Sequence, residues 1–285
     1  MCAKRKSIYL KLTEYQGNPI DEYKKISSFI SSQSFVRNWS VYNLLSANFR
    51  HCIFLRSHYT DFNHCVSSNT KNLNKYIMMD FETLPEEIQF VLLDEFLTYC
   101  EIIMYFHFTT YKFYLRPKDI PFDKAIYLQL SELIKTSLKS INHDIKVVDE
   151  EFGQVIVIKS HPEAEAVAAQ SPKDLREAII NYLATRNNDI EEKEIRLRTI
   201  IDKLEILLNK YSSLSAISKV KEYAQLFRHP EDKKENPEYK WFFKDKNKYL
   251  DEIFMMCIFV KEYDITKNNI KKYEELKKQS LDNIV

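Results

Sequence analysis

A chain of 285 residues with only two glycines, Gly17 and Gly153, has few places where it can turn sharply. Ordinary usage of roughly 7% would supply about 20. Glycine enters the left-handed backbone region without steric cost. Its scarcity excludes collagen-like repeats, flexible glycine linkers and folds built on many tight turns. It also removes chemistry that needs glycine at several fixed offsets: phosphate-cradling loops, dinucleotide-binding turns and nucleophile elbows. The expectation that remains is a mostly helical chain. Hydrophobic residues make up 45% of the sequence and charged residues 29%, which is enough apolar material for a buried core.

Hydrophobic spacing points the same way. Residues 7–12 alternate, with Ile8, Leu10 and Leu12 on one side, as a short strand or extended arm would. After the Gly17-Asn18-Pro19 turn, Ile20, Tyr23, Ile26, Phe29 and Ile30 recur at helical spacing. A second helix is predicted from about Trp39 to Leu55, with Val41, Leu44, Leu45, Asn48 and Cys52 on one face; it continues or restarts to about Met79. Thr83-Leu84-Pro85-Glu86 fits a capping box. The helix it opens, to about Tyr111, is apolar on nearly every side and suits the centre of a bundle. Arg116 to Pro121 reads as a linker, and a helix over 122–141 follows.

Residues 145–159 change period. Two β-branched runs, Ile145 to Val148 and Val155 to Ile158, flank Asp149-Glu150-Glu151-Phe152-Gly153, a β-hairpin with Gly153 in its turn. Helices then resume. Ser171 and Pro172 read as N-cap and first helical residue, and Asp189 as the cap of a long helix through about Tyr211. Along it Leu197, Ile201, Leu204, Leu208 and Tyr211 form a short heptad stripe. Further helices are predicted over 214–227, 247–262 and 267–280, with a charged loop from His229 to Lys240. The fold class expected is mainly α, a multi-helix bundle with one small β-hairpin insertion. Its organisation is expected as a helical subdomain over 1–116 and a second over 117–285 that carries the hairpin, with 142–160 as the alternative junction and one continuous domain as the other alternative.

The formal charge of +1 gives no global pull toward nucleic acid or membrane. Its distribution is uneven, however. Residues 1–80 carry 11 Lys/Arg against 5 Asp/Glu, and residues 81–115 carry one Lys against six Asp/Glu. The basic front is expected to pack near the acidic helix, with a nucleic-acid face on the first 80 residues as the alternative. Five cysteines without a CxxC spacing suit reduced, buried thiols in a cytoplasmic protein. No apolar stretch is long enough to span a bilayer.

Candidate sites follow from residue type. His51, His58 and Cys65 recur every seven residues, with Asp61 beside them, but on one helix seven residues separate ligands by about 10 Å, too far to converge on one ion. No metal or other cofactor is expected. Trp241-Phe242-Phe243 lies between charge-rich stretches and reads either as a partner-binding anchor or as a plug into the core.

Over the second half, the order of hairpin, capped helix, long charged helix, an Arg-His at a helix end and a final apolar helix resembles uncharacterised bacterial proteins of the HEPN or abortive-infection kind. The segments that carry it are Val148 to Val155, Ala164 to Ala169, Leu226-Phe227-Arg228-His229 and Met255-Met256-Cys257. Active members of that family are metal-independent ribonucleases whose signature is an arginine, four to six residues, then a histidine. Here Arg228 directly precedes His229, and Arg56 and His64 are separated by seven residues. No histidine arrives in range of Arg37 or Arg186. The resemblance therefore implies a structural or binding member. The leading expectation is a non-catalytic interaction subunit of a cytosolic bacterial assembly, in phage defence by resemblance, binding a protein partner through Trp241, Phe242, Phe243, Arg228 and His229. A divergent ribonuclease using Arg56 with His64, or Arg228 with His229, is the second reading. A nucleic-acid-binding module on residues 1–80 is the third.

Overall fold

The computed structural model describes residues 17–32, 40–114, 124–149, 154–186, 189–244 and 246–282. The predicted arm over 7–12, the linker at 116–121 and the hairpin turn with Gly153 lie outside them. The fold is mainly α with one two-stranded antiparallel hairpin. The chain forms two compact units, Met1–Ser160 and His161–Val285. The division falls after the hairpin, at the end of the alternative 142–160 junction, and both strands pack on helices of the first unit.

In the first unit, α1 spans Pro19–Ser31. Asn18 caps it by accepting the Asp21 N–H at 3.0 Å, and Pro19 supplies a first residue whose missing N–H would have been unpaired anyway. Its buried face is the predicted one: Ile20, Tyr23, Ile26 and Ile30. Gly17 precedes it and donates to the carbonyl of Ser140 at 2.9 Å.

The helix predicted from Trp39 onward is broken into pieces. Helix α2 spans Val41–Asn48, capped by Ser40. A 3-10 turn at Phe49–His51 follows, and then a single turn at Ile53–Arg56. Helix α3 spans Phe62–Asn69 and α4 spans Lys71–Tyr76. At one break a short polar side chain competes for backbone groups: Asp61 accepts the His64 N–H at 2.8 Å and starts α3 afresh. Helix α3 ends at Thr70, whose backbone leaves the helical region at φ −129° and ψ 26°.

Helix α5, Glu86–Tyr114, is the central helix that its all-round apolar sequence predicts. Leu92, Phe96, Tyr99, Cys100, Ile103 and Phe106 are buried, and α1, α2, α3 and α4 pack against it. The predicted capping box does not form. Thr83 instead closes a 3-10 turn by donating to the Asp80 carbonyl at 2.7 Å, and the helix begins after Pro85. The acidic residues of α5 do meet the basic front, but through its backbone. Glu95 accepts the Asn72 and Leu73 N–H groups, both at 2.8 Å, and so caps α4 from outside. Helix α6, Lys124–Ser140, buries Leu130, Ile134 and Leu138. Strands β1, His143–Asp149, and β2, Gln154–Lys159, pair with His143 opposite Lys159 and a bulge between Val147 and Asp149. Glu101 of α5 accepts the Val157 N–H at 2.8 Å, which satisfies an open edge position of β2.

The second unit begins with α7, Pro162–Ala169, and α8, Lys173–Ala184. The Ser171 hydroxyl turns back to the Val167 carbonyl, so α8 starts one residue later than its sequence suggests, with Pro172 at the cap. Helix α9, Ile190–Lys210, is capped by Asp189 as predicted and buries the whole heptad stripe. Helix α10 spans Ser215–Arg228. The two helices predicted near the end are one, α11, Leu250–Asp282. Nothing between Tyr263 and Thr266 breaks it, because Asp264 spends its carboxylate on Lys210 and Tyr211 of α9 rather than on a cap. Lys193–Asp251 at 2.8 Å and Lys210–Asp264 at 2.9 Å climb both helices in the same direction, so α9 and α11 run parallel. Tyr182 stacks on Phe254 between them at 4.1 Å.

Candidate functional site

The aromatic triplet is placed by a one-turn helix, Lys240–Lys244. Phe242 is fully buried, stacked on Tyr249 at 5.7 Å and edge-on to Phe227 at 5.1 Å. It plugs the core of the second unit and has no surface to offer a partner. Trp241 keeps 48% of its surface exposed but leans edge-on against Tyr249 at 5.2 Å. Phe243 is half-buried beside Phe242.

Arg228 ends α10, and His229 is the exposed residue that follows. The guanidinium meets Asp202 at 2.8 Å and both oxygens of Glu205, at 2.8 and 2.9 Å. These bonds raise its pKa further and hold that of Glu205 below the carboxylate range. Arg228 is thus a clamp from α10 to α9.

The seven-residue series does not share a helix. His51 lies in the 3-10 turn, His58 in the turn after Arg56, and Cys65 is buried on α3. Among the described residues no group of histidine, cysteine or acidic side chains is arranged to hold a metal. The four described cysteines are buried, and burial pushes the thiols of Cys52, Cys65 and Cys257 up to about 12. Those three thiols stay protonated at neutral pH and are poor nucleophiles.

Breaking the Trp39–Met79 segment creates a polar hollow of about 690 Å³ lined by Arg50, Arg56, His58, Tyr59, Thr60 and Asp61, among others. Arg56 donates through Nη1 to the Arg50 carbonyl at 2.9 Å, and Arg50 donates through Nε to His51 Nε2 at 3.1 Å. Partial burial, then the charges of Arg50 and Arg56, push the His51 pKa down, the direction that favours this acceptor role. A second hollow of about 580 Å³, lined by Tyr42, Asn63, His64 and Ser67 among others, shares Asp61 as its wall. Arg56 and His64, the spaced pair of the ribonuclease reading, thus face different hollows. His64 Nδ1 accepts the Thr60 N–H at 3.3 Å. Arg50 is the participant that sequence spacing missed. Six residues from Arg56 do not match the helical period expected over this segment, and the broken loop brings the two together.

Among the described residues no helix is long and apolar enough to cross a membrane. No known family model matches the chain, and neither the curated proteins nor the solved structures contain a match to it.

Proposed function

We propose that this chain is an interaction subunit that docks the last turns of α11 into an apolar, acid-rimmed groove on a protein partner. A single observation carries the reading: from Thr266 to Gln279 every residue of α11 is exposed. Fourteen residues make about 21 Å of helix. Helices of that length are marginal in water, and this one is held in register because it continues the packed Leu250–Asp264 half. Ile270, Tyr273 and Leu276 expose about half or more of their surface and fall on one side at spacings of three. Five lysines against two glutamates surround them, so the complementary surface is apolar at its floor and acidic at its rim. The partner contact thereby moves from the expected 241–243 triplet to α11. A cytosolic bacterial assembly, in phage defence, is the setting that the HEPN-like resemblance suggests.

The test is affinity purification of the full chain from its source cells, beside an Ile270→Asp/Leu276→Asp variant, with a photoreactive group at position 273. Retention of one stoichiometric partner by the parent, its loss in the variant and cross-links into an acid-rimmed apolar groove are expected. A strict monomer without partner, or equal retention by the variant, rejects the reading.

A further inference from the structure

The polar hollows of the first unit lie apart from α11 in sequence and are distinct from the proposed docking segment. We infer that the Arg50–Arg56 hollow binds the phosphodiester backbone of a single-stranded nucleic acid. Four observations converge on this assignment. First, neither guanidinium is paired with a carboxylate among the described residues; their hydrogen bonds go to His51 and to a backbone carbonyl. In the second unit Arg196, Arg198 and Arg228 each meet an acidic side chain, so the pairing available there is missing here. Second, the bond from Arg56 to the Arg50 carbonyl ties one guanidinium to the turn that carries the other, and both arginines line the same hollow. The planar fork of arginine suits a phosphate.

Third, Asp61 is the one carboxylate lining either hollow, and it is occupied by the His64 N–H and the Thr60 hydroxyl. The rest of the polar lining is hydroxyl, amide and imidazole, which donate hydrogen bonds to phosphate oxygens. Fourth, the half-buried ring of Tyr59 lines the same hollow as the two arginines, and the half-buried ring of Tyr42 lines the second hollow, which shares Asp61 with it. Aromatic faces beside a cationic track are how proteins hold successive unpaired bases. A duplex, whose bases are already stacked, gains nothing from them.

The experiment is fluorescence anisotropy of the full chain with a labelled 12-nucleotide single-stranded RNA and its DNA equivalent, at 50 and 200 mM salt. Arg50→Ala leaves the Arg56-to-carbonyl bond intact and so tests the charge without disturbing the turn. It should weaken binding about tenfold, and Arg50→Ala/Arg56→Ala should flatten the salt dependence by roughly 1.4 in log–log slope, about 0.7 for each phosphate that an arginine neutralises. Lys173→Ala/Lys240→Ala, which removes the same charge from the second unit, should leave affinity within twofold. Any of four results overturns the inference: no binding at 50 mM salt, equal binding by Arg50→Ala, tighter binding of the duplex, or full competition by inorganic phosphate or a mononucleotide at the affinity of the oligomer. The readout is independent of the α11 docking test.

Discussion

Alanine at position 17 should loosen the junction between α1 and α6. Gly17 is not in the left-handed region, so alanine tolerates its backbone, and the whole effect comes from the added methyl. A Cβ there would stand 2.9 Å from Ser140 Cβ and 2.8 Å from Glu22 Oε1. Carbon–carbon contacts are ordinarily about 3.5–4.0 Å, so the methyl arrives about 0.6 Å or more too close. Neither neighbour yields easily: Ser140 Cβ is fixed to the end of α6, and Glu22 is buried and held by Lys25 at 2.6 Å. Overpacking of this kind costs about 1–3 kcal/mol, and stretching the 2.9 Å bond from Gly17 to the Ser140 carbonyl adds about 1 kcal/mol. Reduced unfolded-state entropy returns about 0.4–1 kcal/mol. The net loss is about 2 kcal/mol. Native-state hydrogen exchange reads it as a fall of about 30-fold in protection of peptides from α1 and α6, with α9 as an internal control. Ser140→Gly removes the Ser140 side chain and leaves Glu22 Oε1 in place, at a cost of about 0.5 kcal/mol for glycine in a helix. In that background the loss from Gly17→Ala should fall by about half, a coupling of about 1 kcal/mol. Equal protection in Gly17→Ala and the parent, or the same loss with and without Ser140→Gly, would refute the close-approach argument.

Two further outcomes distinguish plug from anchor and ion pair from ornament. Phe242→Ala should destabilise the second unit by about 3–5 kcal/mol in a urea titration, whereas Trp241→Ala, half-exposed, should cost no more than about 1 kcal/mol. For Asp264, burial alone would raise the carboxyl pKa, but the hydrogen bonds and charges of Lys210, Tyr211 and Lys261 outweigh it and hold the group below 3.8. A depressed folded pKa means stability that is full above the unfolded value and lost as pH falls through the folded one. Asp264→Asn should therefore cost about 1.5–3 kcal/mol at pH 7 and flatten the acid limb below about pH 4, measured by thermal melts across pH 2–7.

Some elements were legible in the order of residues and others were not, and the difference is physical. Helical periodicity in α1, the all-round apolar character of α5, the stripe of α9 and the β-branched runs of the hairpin are local patterns, and each became the element it predicts. The cap read at Asp189 formed: its side chain accepts the Glu192 N–H. Thr83 and Ser171 instead bond carbonyls behind them, a choice that neighbouring geometry makes. The single helix α11 was not legible, since the use of Asp264 depends on α9.

The sequence by itself determined the helical class and the exclusion of glycine-dependent chemistry, because backbone sterics and hydrophobic period act within a few residues. Only the tertiary structure decided why Gly17 is glycine: another helix passes where a side chain would stand. The same holds for function. Phe242 became core and Ile270 became surface, and Arg50 came beside Arg56, because packing and chain breaks over tens of residues set which side chains meet and which remain in water.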